Sequence, residues 1–195
     1  MSEADLFADA RKRLLQAIHS GTGSIEIKSG YGLDAEAELK MLRVIRALKE
    51  DFSIPIKATF LACHAVPKGN WTAQSWTKHI VEKVLPMVVQ EGLADYVDAF
   101  CEKGYFGLEE TQLLLDAASA IGIRSKVHVN QFNIIGGVKL CINSNALSVD
   151  HLEVLDSEDI AALQLAAESG NPTFATSLPG CSCLLYTSPS PRDRS

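Results

Sequence analysis

The sequence predicts an α/β protein built on a parallel sheet. Three observations lead there. Strand-like and helix-like patterns alternate from about residue 24 to residue 177, each strand pattern gives way to polar or glycine-rich residues, and two strand patterns run into a histidine. Those two are Lys126–Val129, which carries His128, and Ala146–Val149, with His151 just beyond. In parallel α/β architectures the carboxyl ends of the strands form the rim where sites are built.

Each element has its own signal. Residues 24–28 (Ser-Ile-Glu-Ile-Lys) form a first strand closed by Ser29-Gly30-Tyr31-Gly32. Asp34 caps a helix through about Glu50, with Met41, Val44, Ile45 and Leu48 at helical spacing. Residues 55–62 are a second strand ending at Cys63-His64-Ala65-Val66-Pro67. A helix over 73–91 follows, with Trp76, Ile80, Val84 and Val88 along one face and Pro86 placed to bend it. Residues 96–100 give a third strand leading into Cys101-Glu102, and a helix over 108–120 is stopped by Gly122. The strand at 126–129, a short helix at 137–143 and the strand at 146–149 come next. Ser157 caps a helix through Glu168 that ends at Gly170, and 172–177 is a sixth strand. Six strands interleaved with helices imply right-handed βαβ units, which a doubly wound open sheet and a (β/α)8 barrel both satisfy. Nucleotide-binding versions lose weight because no GxGxxG or P-loop string occurs.

With 195 residues and 47% apolar content, one domain with an ample core is expected. A net charge of −6 argues against nucleic acid and anionic membranes as partners, and no apolar run approaches a membrane span. The acidic start, Met1-Ser2-Glu3-Ala4-Asp5, has no signal-peptide pattern, so a cytoplasmic location is the expectation. The five cysteines lack paired metal spacing and read as reduced, structural thiols. From Cys183 to Ser195 neither helix nor strand period persists. That stretch resembles translated sequencing-adapter read-through, the alternative being a disordered Ser/Pro tail, and the domain is taken as 1–182.

His128 at a strand end is a candidate metal ligand through a neutral ring nitrogen; a lone histidine there would more often be a hydrogen-bonded core residue. His151 and His64, also at strand ends, shift the balance toward a site. His19 and His79 read as surface residues. Asp150, directly before His151 on a strand, is expected on the opposite face, and Glu102 is either a supporting acid or half of a structural ion pair. Tyr31, between two glycines, either projects over the rim toward a polar substrate or is a packed turn tyrosine. Asn130 and Gln131 are uncharged donor–acceptors suited to an amide-like or heterocyclic ligand.

Together the strings EIKSGYGL, FLACHAVP, EGLADYVDAFCEKGYF, KVHVNQFN and SVDHLE, spread over roughly residues 18 to 182, resemble the imidazolonepropionases of the amidohydrolase superfamily. The resemblance implies a partial (β/α)8 TIM-like barrel holding about strands two to seven. It also implies one zinc or iron ion and hydrolysis of 4-imidazolone-5-propanoate to N-formimino-L-glutamate in histidine breakdown. In that scheme His128 resembles the fifth-strand metal ligand. His151 resembles the catalytic sixth-strand histidine that orients or deprotonates water. Gln131 contacts substrate or the attacking water but cannot act as a general base. Tyr31 and His64 resemble the substrate-binding pair. The family's first-strand HxH pair, the arginine after it, the eighth-strand Asp and the small β-domain have no counterpart here. The remaining metal ligands are therefore absent from the chain, and an inactive, poorly soluble or self-associating fragment is expected. A homodimer is what the family implies for the full-length protein. Another cyclic amidase or deaminase of the superfamily, and a non-catalytic binding remnant, are the alternatives.

Overall fold

The structure, a computed structural model, describes residues 1–181. The segment 183–195, set apart above, lies outside the described residues. By internal packing the chain divides into two compact units with the boundary between Asp98 and Ala99.

The first unit opens with α1 (Glu3–His19), capped by the Ser2 hydroxyl, which accepts the Asp5 N–H at 3.1 Å. This helix lies before residue 24, where the alternating pattern begins. The strands β1 (Ile25–Lys28) and β2 (Ile56–Cys63) pair in parallel, Ile25 opposite Ile56 and Ile27 opposite Ala58. Between them α2 (Ala35–Asp51) starts where the Asp34 carboxylate accepts the Ala37 N–H at 2.8 Å. Its apolar stripe buries Leu39, Leu42, Ile45 and Leu48, and β2 buries Ala58 and Phe60. Apolar burial of this kind stabilises by about 25 cal/mol per Å2 removed from water.

The helical stretch after β2 is α3 (Ala73–His79), a π turn over Ile80–Val84, and α4 (Leu85–Gln90). The expected bend at Pro86 takes the form of that widened turn. Proline supplies no N–H and crowds the carbonyl one turn back, and an i→i+5 turn just before it relieves both problems. His79, read as a surface residue, is half-buried and stacks on Trp76 with centroids 5.5 Å apart.

Asp95 precedes β3 (Tyr96–Cys101), which crosses the unit boundary. Its carboxylate accepts the Ala58 N–H at 2.8 Å and the Lys49 and Lys57 ammoniums, tying helix and strand together. Burial opposes ionisation of Asp95, but that amide and the two ammoniums prevail and hold the carboxyl below its ordinary value. A depressed carboxyl contributes stability that is full above the ordinary aspartate range and is lost as pH falls through the native value. Asp95→Asn is therefore expected to lower stability at neutral pH by about 1 kcal/mol and to flatten the acid limb of the melting temperature–pH curve. Thermal melts from neutral to strongly acidic pH check both; parallel curves would refute the assignment.

The second unit contains the end of β3, α5 (Leu108–Ala120), β4 (Arg124–Val129), α6 (Gly137–Asn143), β5 (Ser148–His151), α7 (Ser157–Glu168) and β6 (Phe174–Thr176). Strand order within each unit follows chain order. β4 and β5 pair in parallel, His128 opposite Asp150 and Val129 opposite His151, and β5 pairs in parallel with β6. α5 ends as read, with Gly122 at φ +74°, a conformation that suits a residue lacking Cβ. The cap of α7 is Asp156 rather than Ser157: its carboxylate accepts the N–H groups of Glu158 and Asp159 at 2.9 and 2.8 Å.

Cys63, Cys101 and Cys141 are buried, and burial pushes the Cys101 thiol up. No helix among the described residues is long and apolar enough to cross a membrane.

Candidate active site

Within the second unit, β4 and β5 bring His128 and His151 together. Both are almost wholly buried, with ring centroids 5.0 Å apart and planes tilted by 48°. The strand ends are conformationally unusual. Asn130, His151 and Leu152 have φ of +53°, +84° and +60°, each costing about 1–3 kcal/mol for a residue with a side chain. Hydrogen bonds across the strand ends hold this geometry: Leu152 N–H donates to the Val129 carbonyl at 3.3 Å and Val154 N–H to the Asn130 carbonyl at 3.0 Å.

The positive φ at His151 overturns the expectation for Asp150. Alternation would send adjacent strand residues to opposite faces, but the turned backbone at His151 breaks the alternation. An Asp150 carboxylate oxygen and a His128 ring nitrogen lie within 4.8 Å, so both Asp150 and His151 neighbour His128. The Asp150 carboxylate also accepts the Ser148 hydroxyl at 2.8 Å.

His151 Nδ1 lies 3.2 Å from Glu153 Oε1, and the Glu153 side chain is fully buried. Burial holds the His151 imidazole below its ordinary value; the Glu153 hydrogen bond opposes that, and the neighbouring His128 adds to it. A ring nitrogen of His151, a Glu153 oxygen and the Cys181 sulfur lie within 4.8 Å of one another. The His128 imidazole and the Asp150 carboxylate, with donor atoms within 4.8 Å of each other, are the pair that suits zinc or iron, so this end of the sheet fits a metal ion.

Gln131 is half-buried just beyond β4. Asn130, read as a ligand-facing amide, is instead a buried tie: its Nδ2 donates to Asp159 at 2.7 Å. Among the described residues Glu102 forms no ion pair. Fully buried, it accepts backbone N–H groups from the loop that follows Gln131.

In the first unit, Tyr31 and His64 meet beyond the ends of β1 and β2, with centroids 5.0 Å apart. Tyr31 is largely exposed and His64 half-buried. The loop that presents Tyr31 is built from below. The Ser29 hydroxyl accepts the Leu61 N–H at 3.1 Å, and the buried Glu38 of α2 accepts the N–H groups of Gly30 and Gly32 at 2.8 and 2.7 Å. Gly30, at φ +114°, leaves no room for a Cβ, which would fall 2.7 Å from the Leu61 carbonyl oxygen. Gly30→Ala is expected to cost about 1–3 kcal/mol and to displace Tyr31. Gly21→Ala, at φ +98° with open space around it, separates the conformational cost from the collision. Equal melting temperatures for the two variants would contradict the close-packing argument.

Sequence reasoning missed Glu38 and Glu153. The signal for Glu38 was present: it falls one turn before Met41 on the apolar stripe of α2, where a carboxylate needs buried donors.

No protein-family model matches the chain. A Christiangramia forsetii protein named imidazolonepropionase is 49% identical over 185 residues, covering 94% of this chain and 44% of that protein. Its namesake from Flavobacterium johnsoniae is 49% identical over 187 residues, with the same two coverages. The chain is homologous to a segment of imidazolonepropionase. A Shewanella oneidensis imidazolonepropionase is 46% identical over 181 residues, 91% of this chain. The chain spans less than half the length of these curated relatives.

Solved structures extend the likeness to the fold. Adenine deaminase from Arthrobacter aurescens superposes with a TM-score of 0.69 at 16% identity, over 96% of this chain and 56% of that one. Arabidopsis ADAL complexed with IMP gives 0.64 at 8% identity, over 90% and 62%. A triazine hydrolase variant gives 0.62 at 12%, over 92% and 43%. The fold is thus α/β, part of a (β/α)8 barrel.

Proposed function

We propose that this chain forms the central part of an imidazolonepropionase, which hydrolyses 4-imidazolone-5-propanoate to N-formimino-L-glutamate in cytoplasmic histidine degradation. The observation that carries the reading is 46–49% identity to proteins of that name across more than nine-tenths of the chain.

His128, with Asp150 beside it, would hold one zinc or iron ion, the further ligands coming from outside this chain. When bound, the ion supplies Lewis-acid charge and makes a water more acidic. His151 does the proton work. Its buried, depressed imidazole is neutral at working pH and, with Nδ1 engaged by Glu153, accepts a proton at Nε2 as water adds to the ring carbonyl carbon. The same proton then passes to the ring nitrogen as the C–N bond breaks, so acid and base roles balance. Gln131 has no titratable proton and acts by hydrogen bonding the substrate or the attacking water. Tyr31 and His64 bind the substrate's polar groups. The full-length assembly is expected to be a homodimer.

The test is a graft. This chain replaces the matching 185 residues of the Christiangramia forsetii protein, and product formation from 4-imidazolone-5-propanoate is followed by mass spectrometry. Formation of N-formimino-L-glutamate is expected; a folded, metal-loaded graft that leaves the substrate intact would refute the proposal.

A further inference from the structure

We infer that Glu102 is a positioning residue for Gln131: a buried carboxylate clamp that fixes the loop after β4, resting on the function proposed above. Glu102 follows β3 directly and is fully buried. Four N–H groups converge on it. Oε1 accepts the Lys103 amide at 2.9 Å and the Asn133 side-chain amide at 3.0 Å. Oε2 accepts the backbone amides of Phe132 at 2.9 Å and Asn133 at 3.3 Å. All four partners donate, so the group serves as acceptor only, in its carboxylate form.

Three of those donors belong to the two residues directly after Gln131. Gln131 itself sits between this clamp and Asn130, which is tied through Nδ2 to Asp159 and through its carbonyl to Val154. The residue is thereby pinned on both sides, within a few residues of His128. Phe132 is substantially exposed and Ile134 likewise, so the loop has little apolar burial of its own to order it. Hydrogen bonds to a charged acceptor are the interactions that remain for that purpose, and they are among the stronger ones. A glutamine at 102 would keep the shape but turn one oxygen into an NH2, placing a donor against two donors.

Two measurements test the inference. In the chain as it stands, Glu102→Gln is expected to speed hydrogen exchange at the Phe132 and Asn133 amides about ten- to a hundredfold, while Glu109→Gln on the exposed face of α5 leaves them unchanged. Unaltered exchange in Glu102→Gln would overturn the clamp. In the graft, Glu102→Gln is expected to lower kcat/KM by about the same factor, and to have little further effect once Gln131→Ala is present, because both act through one residue. Fully additive losses would show that Glu102 does not work through Gln131 and would overturn the inference.

Should Glu102→Gln fail to fold, Asn133→Ala removes a single donor and is expected to loosen the Phe132 amide severalfold; no change there counts against the clamp. An inactive unmodified graft would instead refute the proposed function, and the exchange data would still decide whether Glu102 holds the loop.

Discussion

His128→Ala in the graft is expected to strip the bound metal and reduce turnover by about three orders of magnitude or more, at a folding cost of only about 1–2 kcal/mol. His128 sits in β4 one residue before its end, nearly buried, with its ring 5.0 Å from that of His151 and edge-on to Phe100 at 6.3 Å. Neutral imidazole at such a rim is a good zinc or iron donor, and alanine offers none. If His128 were a packing residue, the ranking would reverse: metal content would hold and the melting temperature would fall sharply. Metal-to-protein ratio by plasma mass spectrometry, alongside thermal melts, separates the two.

Trp76→Ala is expected to be the most damaging core substitution in the first unit, costing about 3–5 kcal/mol. Trp76 is 2% exposed on α3, and its indole N–H donates to the Ala62 carbonyl of β2 at 2.9 Å. Trp71 and His79 pack against it at 5.2 and 5.5 Å. Truncation would open a large cavity, orphan a buried carbonyl at a strand end and strip two aromatic contacts. A domain's total stability is about 5–15 kcal/mol, so a loss of this size brings it near unfolding at moderate temperature. Trp76→Phe keeps most of the volume and is expected to lose about 1–2 kcal/mol, largely the hydrogen bond. Chemical denaturation of both variants checks the order; equal losses would mean that volume contributes little.

Much of this architecture was legible in the sequence. The helices at 108–120 and 137–143 have the bounds that stripes and terminators indicate, and Asp34 caps α2 as read. Strand limits were less legible because pairing sets them. The strand read over 146–149 is Ser148–His151, placing His151 inside the strand opposite Val129 rather than beyond it. The close approach of His128 and His151 follows from their strand-end positions. The side taken by Asp150 does not, since it depends on a positive φ at His151 that no periodicity encodes. Glu38 reaches its partners 6 and 8 residues back, and Glu102 reaches partners 30 and 31 residues on. Such anchors are set by tertiary geometry, and in the sequence they show only as acids among apolar neighbours.

One measurement bears most directly on the central claim, that this segment serves ring opening of an imidazolone. It is a side-by-side determination of kcat/KM for the graft on 4-imidazolone-5-propanoate, hydantoin and adenine. A preference of about a hundredfold or more for the imidazolone is expected, since a site built to hydrogen-bond one polar ring leaves buried groups unpaired with another. Comparable or greater efficiency on hydantoin or adenine would contradict the account and assign the segment to a different cyclic amidase or a deaminase.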